Sequence, residues 1–140
     1  MLKNVDPVLT GTLLKALDEM GHGDTLALVD RNYPSVSAGP QVVHLGEIGI
    51  VRAAEALFSV LPLDSFIDNP LARMEADDLS PATSTHEKVL DVARASHTRP
   101  LEFSLIPRHD FYSVATECAL IVQCLETAPY SCFIVHKGVV

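Results

Sequence analysis

The sequence predicts one α/β domain, a layered sandwich in which a mixed, mostly parallel sheet is flanked by helices. Short apolar runs of strand length alternate with stretches of helical period. Several connections between them are short, which favours a mixed sheet over a purely parallel one. The chain has 140 residues, 48% of them hydrophobic, with no repeat and no low-complexity linker, so residues 1–140 supply one core.

Residues 8–20 place Leu9, Leu13, Leu14, Leu17 and Met20 on one helical face, and Gly21 stands where a helix would stop. Residues 25–30 read as a buried strand, and residues 31–40, rich in Asn, Pro, Ser and Gly, as a loop. A second strand is expected at 41–45 and a helix over 46–61, through Ile50, Ala53, Ala54 and Leu57. Residues 63–74 are apolar pieces broken by Asp68-Asn69-Pro70 and are expected as two short strands. After a loop at 77–83, Ser84-Thr85-His86-Glu87 reads as a capping box that opens a helix to about His97. Residues 101–106 alternate as a strand. Pro107-Arg108-His109-Asp110 then turns into a helix from Phe111 to about Glu117. Residues 119–125 and 132–136 complete the strands.

The net charge is −8 and the isoelectric point about 5.0. Such a surface repels phosphate backbones, so nucleic acid is not an expected partner, whereas a neutral small molecule is compatible. No stretch approaches the roughly 20 apolar residues that span a bilayer. The N-terminus lacks the apolar core of a signal peptide, so a cytoplasmic protein that does not engage membranes is expected. Cys118, Cys124 and Cys132 are odd in number and lack metal-ligand spacing; they read as reduced, buried thiols.

The chemistry concentrates in Gly21-His22-Gly23-Asp24 and in Asp30, at opposite ends of one short strand. A histidine both gives and takes protons near neutrality. His22 is therefore a candidate proton-transfer group, and the bland alternative is a solvent-facing residue at a helix end. Asp30 could orient His22 or accept hydrogens from a ligand's hydroxyls, or simply start a turn by bonding its own backbone. Asp24 reads as the residue that closes the glycine turn. Arg108 carries a planar fork suited to vicinal hydroxyls, with a solvated surface arginine as the alternative. Tyr130 could donate its hydroxyl or stack on a ring, or serve as a half-buried core residue. Gly21-x-Gly23 ends a helix and so is no phosphate loop, and no metalloprotease or nucleophile-elbow motif is present.

Together the motif at 21–24, Asp30, Gly39-Pro40-Gln41-Val42, Arg108 with Phe111-Tyr112, Glu126, Pro129-Tyr130-Ser131 and Lys137-Gly138-Val139 resemble the L-fucose mutarotase / D-ribose pyranase family, nearer its fucose branch. The resemblance spans the chain. It implies an isomerase that interconverts sugar anomers with no cofactor and no metal, His22 acting as proton donor with Asp30 in support. It implies that Asp30, Arg108 and the segment Tyr130, Ser131 and Cys132 bind a monosaccharide. It also implies a homo-oligomer, a ring-like decamer in bacterial members, with sites near subunit boundaries. One departure stands out: Cys132 occupies the position of the family's asparagine. A thiol offers little of the donor and acceptor capacity of an amide. That departure keeps a second reading open, a non-catalytic sugar-binding or regulatory protein on the same scaffold.

Overall fold

The apolar run Leu26–Val29 has no polar side to show to water, and a strand of that kind needs cover on both faces. The computed structural model, which describes residues 2–140, makes this run an interior strand, β1 (Thr25–Val29). The other strands are β2 (Gln41–His44), β3 (Leu71–Glu75), β4 (Ser104–Pro107), β5 (Leu120–Gln123) and β6 (Phe133–His136). The helices are α1 (Gly11–Glu19), α2 (Ile50–Phe58), α3 (Ser84–Ser96) and α4 (Arg108–Thr116). The six strands form one sheet in the order β2-β5-β1-β6-β3-β4. β1 with β5, β2 with β5, and β3 with β4 run parallel, while β6 lies antiparallel between β1 and β3. The sheet is thus mixed and mostly parallel, as expected.

Alternation along the strands divides the core in two. Leu26, Leu28, Leu120, Val122, Phe133 and Val135 face α1, α2 and α3. Ala27, Val29, Ile121, Ile134, Ala72 and Met74 face α4, through Phe111 and Ala115, and the loop residue Tyr33. Phe111 is fully buried and anchors α4 on this thinner side, which also carries a polar cleft. Among the described residues no helix is long and apolar enough to cross a membrane.

Several boundaries differ from the sequence reading, each for a local reason. α1 begins at Gly11 because Thr10 Oγ1 accepts the Leu13 N–H (3.3 Å), although Leu9 is still buried ahead of it. Gly23, with φ 83°, rather than Gly21, takes the left-handed conformation of the following turn. α2 is shorter than its apolar pattern: Gly46 turns the chain, and the Ile50 N–H at the helix start donates to Glu126 Oε2 (3.1 Å) from a distant loop. The capping box of α3 starts one residue earlier, at Thr83. Thr83 Oγ1 accepts from His86 N (3.3 Å), and His86 Nδ1 accepts from Thr83 N (3.0 Å). α4 follows Pro107 directly, which makes Arg108 its first residue. Residues 63–74 form one strand rather than two; Leu63 contributes only an isolated bridge to Lys137, and the chain between them is a loop.

Candidate active site

Two places carry the predicted residues, one at each end of β1. At the start of the strand, the turn after α1 holds His22. The Gly21 N–H donates to Asp24 Oδ2 (2.7 Å), the turn-closing role expected of Asp24. The Gly23 N–H donates to the Lys137 carbonyl (2.9 Å), which ties the turn to the end of β6. The His22 side chain is 45% exposed, and its Nε2 lies 3.2 Å from Oδ1 of Asp64, a buried residue. Asp64 Oδ1 also accepts the Phe66 N–H (2.9 Å). That N–H, then His22 and the more distant His136, hold the Asp64 carboxyl below the usual carboxylate range, against burial. The Phe66 ring lies against the imidazole at 5.2 Å. The hollow beside His22, about 490 Å³, is edged by Asp18, Lys137, Val60 and Val139.

At the far end of β1, Asp30, Tyr33, Arg108, Tyr130 and Cys132 line a cleft of about 230 Å³ on the α4 side of the sheet. Asp30 is buried; its Oδ1 accepts the Asn32 N–H (2.9 Å) and its carbonyl accepts from Gln123 Nε2 (3.0 Å). The turn-starting and cleft-lining roles therefore coexist. Arg108 Nε donates to both oxygens of Asp77 (2.7 and 2.8 Å), and Asp77 first, then Tyr112, push its already high pKa further up. The guanidinium is a fixed positive charge at the cleft, and its Nη2 lies 3.2 Å from His109 Nε2. Tyr130 is half-buried with φ 57°, a strained conformation for a tyrosine, and its carbonyl is held by His86 Nε2 (3.0 Å). Glu126 shapes the loop before it by accepting the N–H groups of Thr127 and Ala128 (both 2.8 Å).

Cys132 is buried, and burial together with the Asp30 carboxylate pushes its thiol well above the ordinary cysteine range, so it stays protonated. Ser131 is fully buried with its hydroxyl unpartnered among the described residues, and it is not among the cleft-lining residues. Tyr33 does line the cleft, and its hydroxyl is also buried and unpartnered; burial pushes it up to about 12.

The structure thus joins Asp30, Arg108, Tyr130 and Cys132, and separates His22 from them. Strand residues rise about 3.3 Å each, so His22 and Asp30 stand more than about 15 Å apart in one chain. The expectation that Asp30 orients His22 is corrected: Asp64 is the carboxylate on the imidazole. Asp64, Asp77 and Tyr33 were missed by the sequence reading. Only Asp64 carried a signal, a lone acid in the apolar stretch Leu61-Pro62-Leu63-Asp64-Ser65-Phe66-Ile67.

A larger hollow of about 540 Å³ lies at the N-terminus, lined by Leu2, Val5, Pro7 and Leu14. Its one acid, Asp6, is spent on a two-pronged ion pair with Arg52 (both 2.7 Å), so it offers no free chemistry.

Comparison with known proteins gives this geometry its context. The RbsD / FucU transport protein family matches residues 3–140. The chain is 36% identical to the fucose mutarotase of Homo sapiens over 148 residues, covering 99% of this chain and 94% of that protein. It is 34% identical to the L-fucose mutarotase of Haemophilus influenzae (strain PittEE), covering 99% and 97%. The crystal structure of the fucose mutarotase from Streptococcus pneumoniae in complex with L-fucose superposes with a TM-score of 0.92, at 29% identity over 99% of both chains. With its whole length matched in sequence and its sheet and helices in the same arrangement, the chain belongs to the RbsD / FucU family.

Proposed function

We propose that this protein is a mutarotase that interconverts the α and β anomers of a monosaccharide, L-fucose or a related aldose, in the cytoplasm. The observation that carries the reading is the cleft in which Asp30, Arg108 and Tyr130 converge, in a chain whose full-length relatives are L-fucose mutarotases. Its volume, about 230 Å³, lies below the roughly 300–1,000 Å³ of drug-sized sites and is of the scale of one sugar ring. A neutral sugar also suits a chain of net charge −8.

Anomer exchange needs a proton removed from the anomeric hydroxyl O1 and a proton delivered to the ring oxygen O5. The C1–O5 bond breaks, C1–C2 turns in the open aldehyde, and the ring closes on the other face. His22 is the group suited to moving the proton, since one imidazole nitrogen can take a proton from O1 and hand it to O5. Asp30, Arg108 and Tyr130 hold the hydroxyls, and the Tyr33 hydroxyl is free to supply the polar contact that Cys132 supplies poorly.

A sugar is much shorter than the distance between His22 and Asp30 of one chain. In this reading, the histidine serving a cleft comes from a second copy, within a homo-oligomer such as a decamer. Exposed apolar residues at the His22 end, Phe66, Val60 and Val139 among them, support that contact. The second reading, sugar binding without catalysis, rests on Cys132 alone.

Exchange NMR on the anomeric protons of L-fucose, D-ribose and other aldoses, with catalytic amounts of protein, tests the proposal. Faster exchange for one sugar is expected. Binding without acceleration for any of them would favour the non-catalytic reading.

A further inference from the structure

We infer that Asp64 is the positioning residue of the proton-transfer step: it fixes His22 with a proton on Nε2 and presents Nδ1 to the sugar. The inference rests on the reading of His22 as the proton-transfer group.

A buried carboxylate persists only where it is paired or hydrogen-bonded. Asp64 is 4% exposed, and both of its polar contacts fall on Oδ1: the Phe66 N–H at 2.9 Å and His22 Nε2 at 3.2 Å. The first contributes most to holding the carboxyl below the usual carboxylate range. An ionised carboxylate can only accept hydrogen bonds, so Nε2 must be the donor. In the neutral ring the lone pair then sits on Nδ1, because the bond made by one ring nitrogen sets the state of the other. Nδ1 has no partner among the described residues, and the side chain is 45% exposed. An imidazole with one nitrogen anchored and the other open is what proton transfer to an outside ligand requires. The Phe66 ring, 72% exposed yet tilted at 51° against the imidazole, restrains its rotation.

Both members of the pair are referenced to one stretch of backbone. The Asp64 N–H donates to the His136 carbonyl (3.1 Å), and the Gly23 N–H donates to that of Lys137 (2.9 Å). Leu63 bridges to Lys137, and the chain passes Gly138 so closely that a Cβ there would stand 2.6 Å from the Leu63 carbonyl oxygen. The end of β6 therefore sets the spacing of carboxylate and imidazole.

In the step itself, the O1 proton moves to Nδ1, the C1=O bond forms, and the C1–O5 electron pair goes to O5, which takes the Nδ1 proton. Asp64 neither gains nor loses a proton. It holds the ring and stabilises the imidazolium that exists between the two transfers.

The test is 15N NMR of labelled histidine together with steady-state anomer exchange. In the wild-type protein the neutral His22 ring is expected to carry its proton on Nε2, an observation that needs no variant. Asp64→Asn can keep an oxygen at the Oδ1 position for both N–H groups and removes only the charge, whereas Asp64→Ala removes the acceptor itself. The Nε2 tautomer should persist in Asp64→Asn and lose its preference in Asp64→Ala, and kcat should fall at least about 100-fold in Asp64→Ala with KM little changed. A wild-type ring protonated on Nδ1, or Asp64→Ala with tautomer and kcat unchanged, would overturn the inference. His22→Ala separates the two levels. Full activity in His22→Ala would remove the reading of His22 itself, whereas an inactive His22→Ala beside an unaffected Asp64→Ala would remove only the role of Asp64.

Discussion

At position 33, a tyrosine hydroxyl lies buried without a hydrogen-bond partner among the described residues. Such a group costs about 1–3 kcal/mol unless something bonds it. Tyr33→Phe should therefore stabilise the free protein by about 1 kcal/mol in urea denaturation. A loss of stability would show that the hydroxyl is bonded. Asp77 gives a second prediction at this scale. It holds Arg108 by both oxygens, so Asp77→Ala should raise KM for the sugar while leaving kcat nearly unchanged, measured by exchange NMR. These partners explain what the sequence concealed. His22, Asp30 and Tyr130 stand in or beside turns and Arg108 at a helix start, each with recognisable neighbours. Asp64 meets His22 across 42 residues, and Asp77 meets Arg108 across 31, so no local pattern pairs them.

Helix α3 shows how one element steadies the cleft. His86 is buried, closes the N-cap with Thr83, and donates from Nε2 to the carbonyl of Tyr130. Its Nδ1 is an acceptor only while the ring is neutral, so protonation would break the cap. Burial holds its pKa below the ordinary histidine value, and it does the same for His136. The unfolded chain, titrating near 6.5, thus takes up these protons first. The stabilisation is complete above that value and is lost as pH falls through the lower folded-state values. The lowered carboxyls of Asp6, Asp64 and Glu126 act in the same direction, but only in the acid range. The melting temperature should already fall between pH 7 and 5.5; a flat profile there would contradict this account of His86. Gly138→Ala should displace the Leu63–Asp64 backbone, costing about 1–3 kcal/mol in denaturation and lowering the exchange rate as well. Element type was legible in apolar periodicity, as in β1 and α3. Helix starts were not, because Glu126 reaches α2 from 76 residues away and Thr83 displaces Ser84 as the cap.

For the whole molecule, alternating segments sufficed for a mixed α/β sandwich. They could not give the order β2-β5-β1-β6-β3-β4, since nothing in a four-residue apolar strand names its neighbour. That order decides the function proposed here. Because β1 runs between β5 and β6 through the interior of the sheet, its two ends hold His22 and the Asp30 cleft apart, and the proposed reaction draws on both. The most direct test mixes two inactive variants, His22→Ala and Asp30→Ala, by unfolding and refolding them together, and then measures anomer exchange on L-fucose. Restored activity of about one quarter of the wild-type rate is expected, the share of boundaries at which random pairing sets an intact histidine beside an intact cleft. A mixture as inactive as its components would contradict a site shared between copies of this chain.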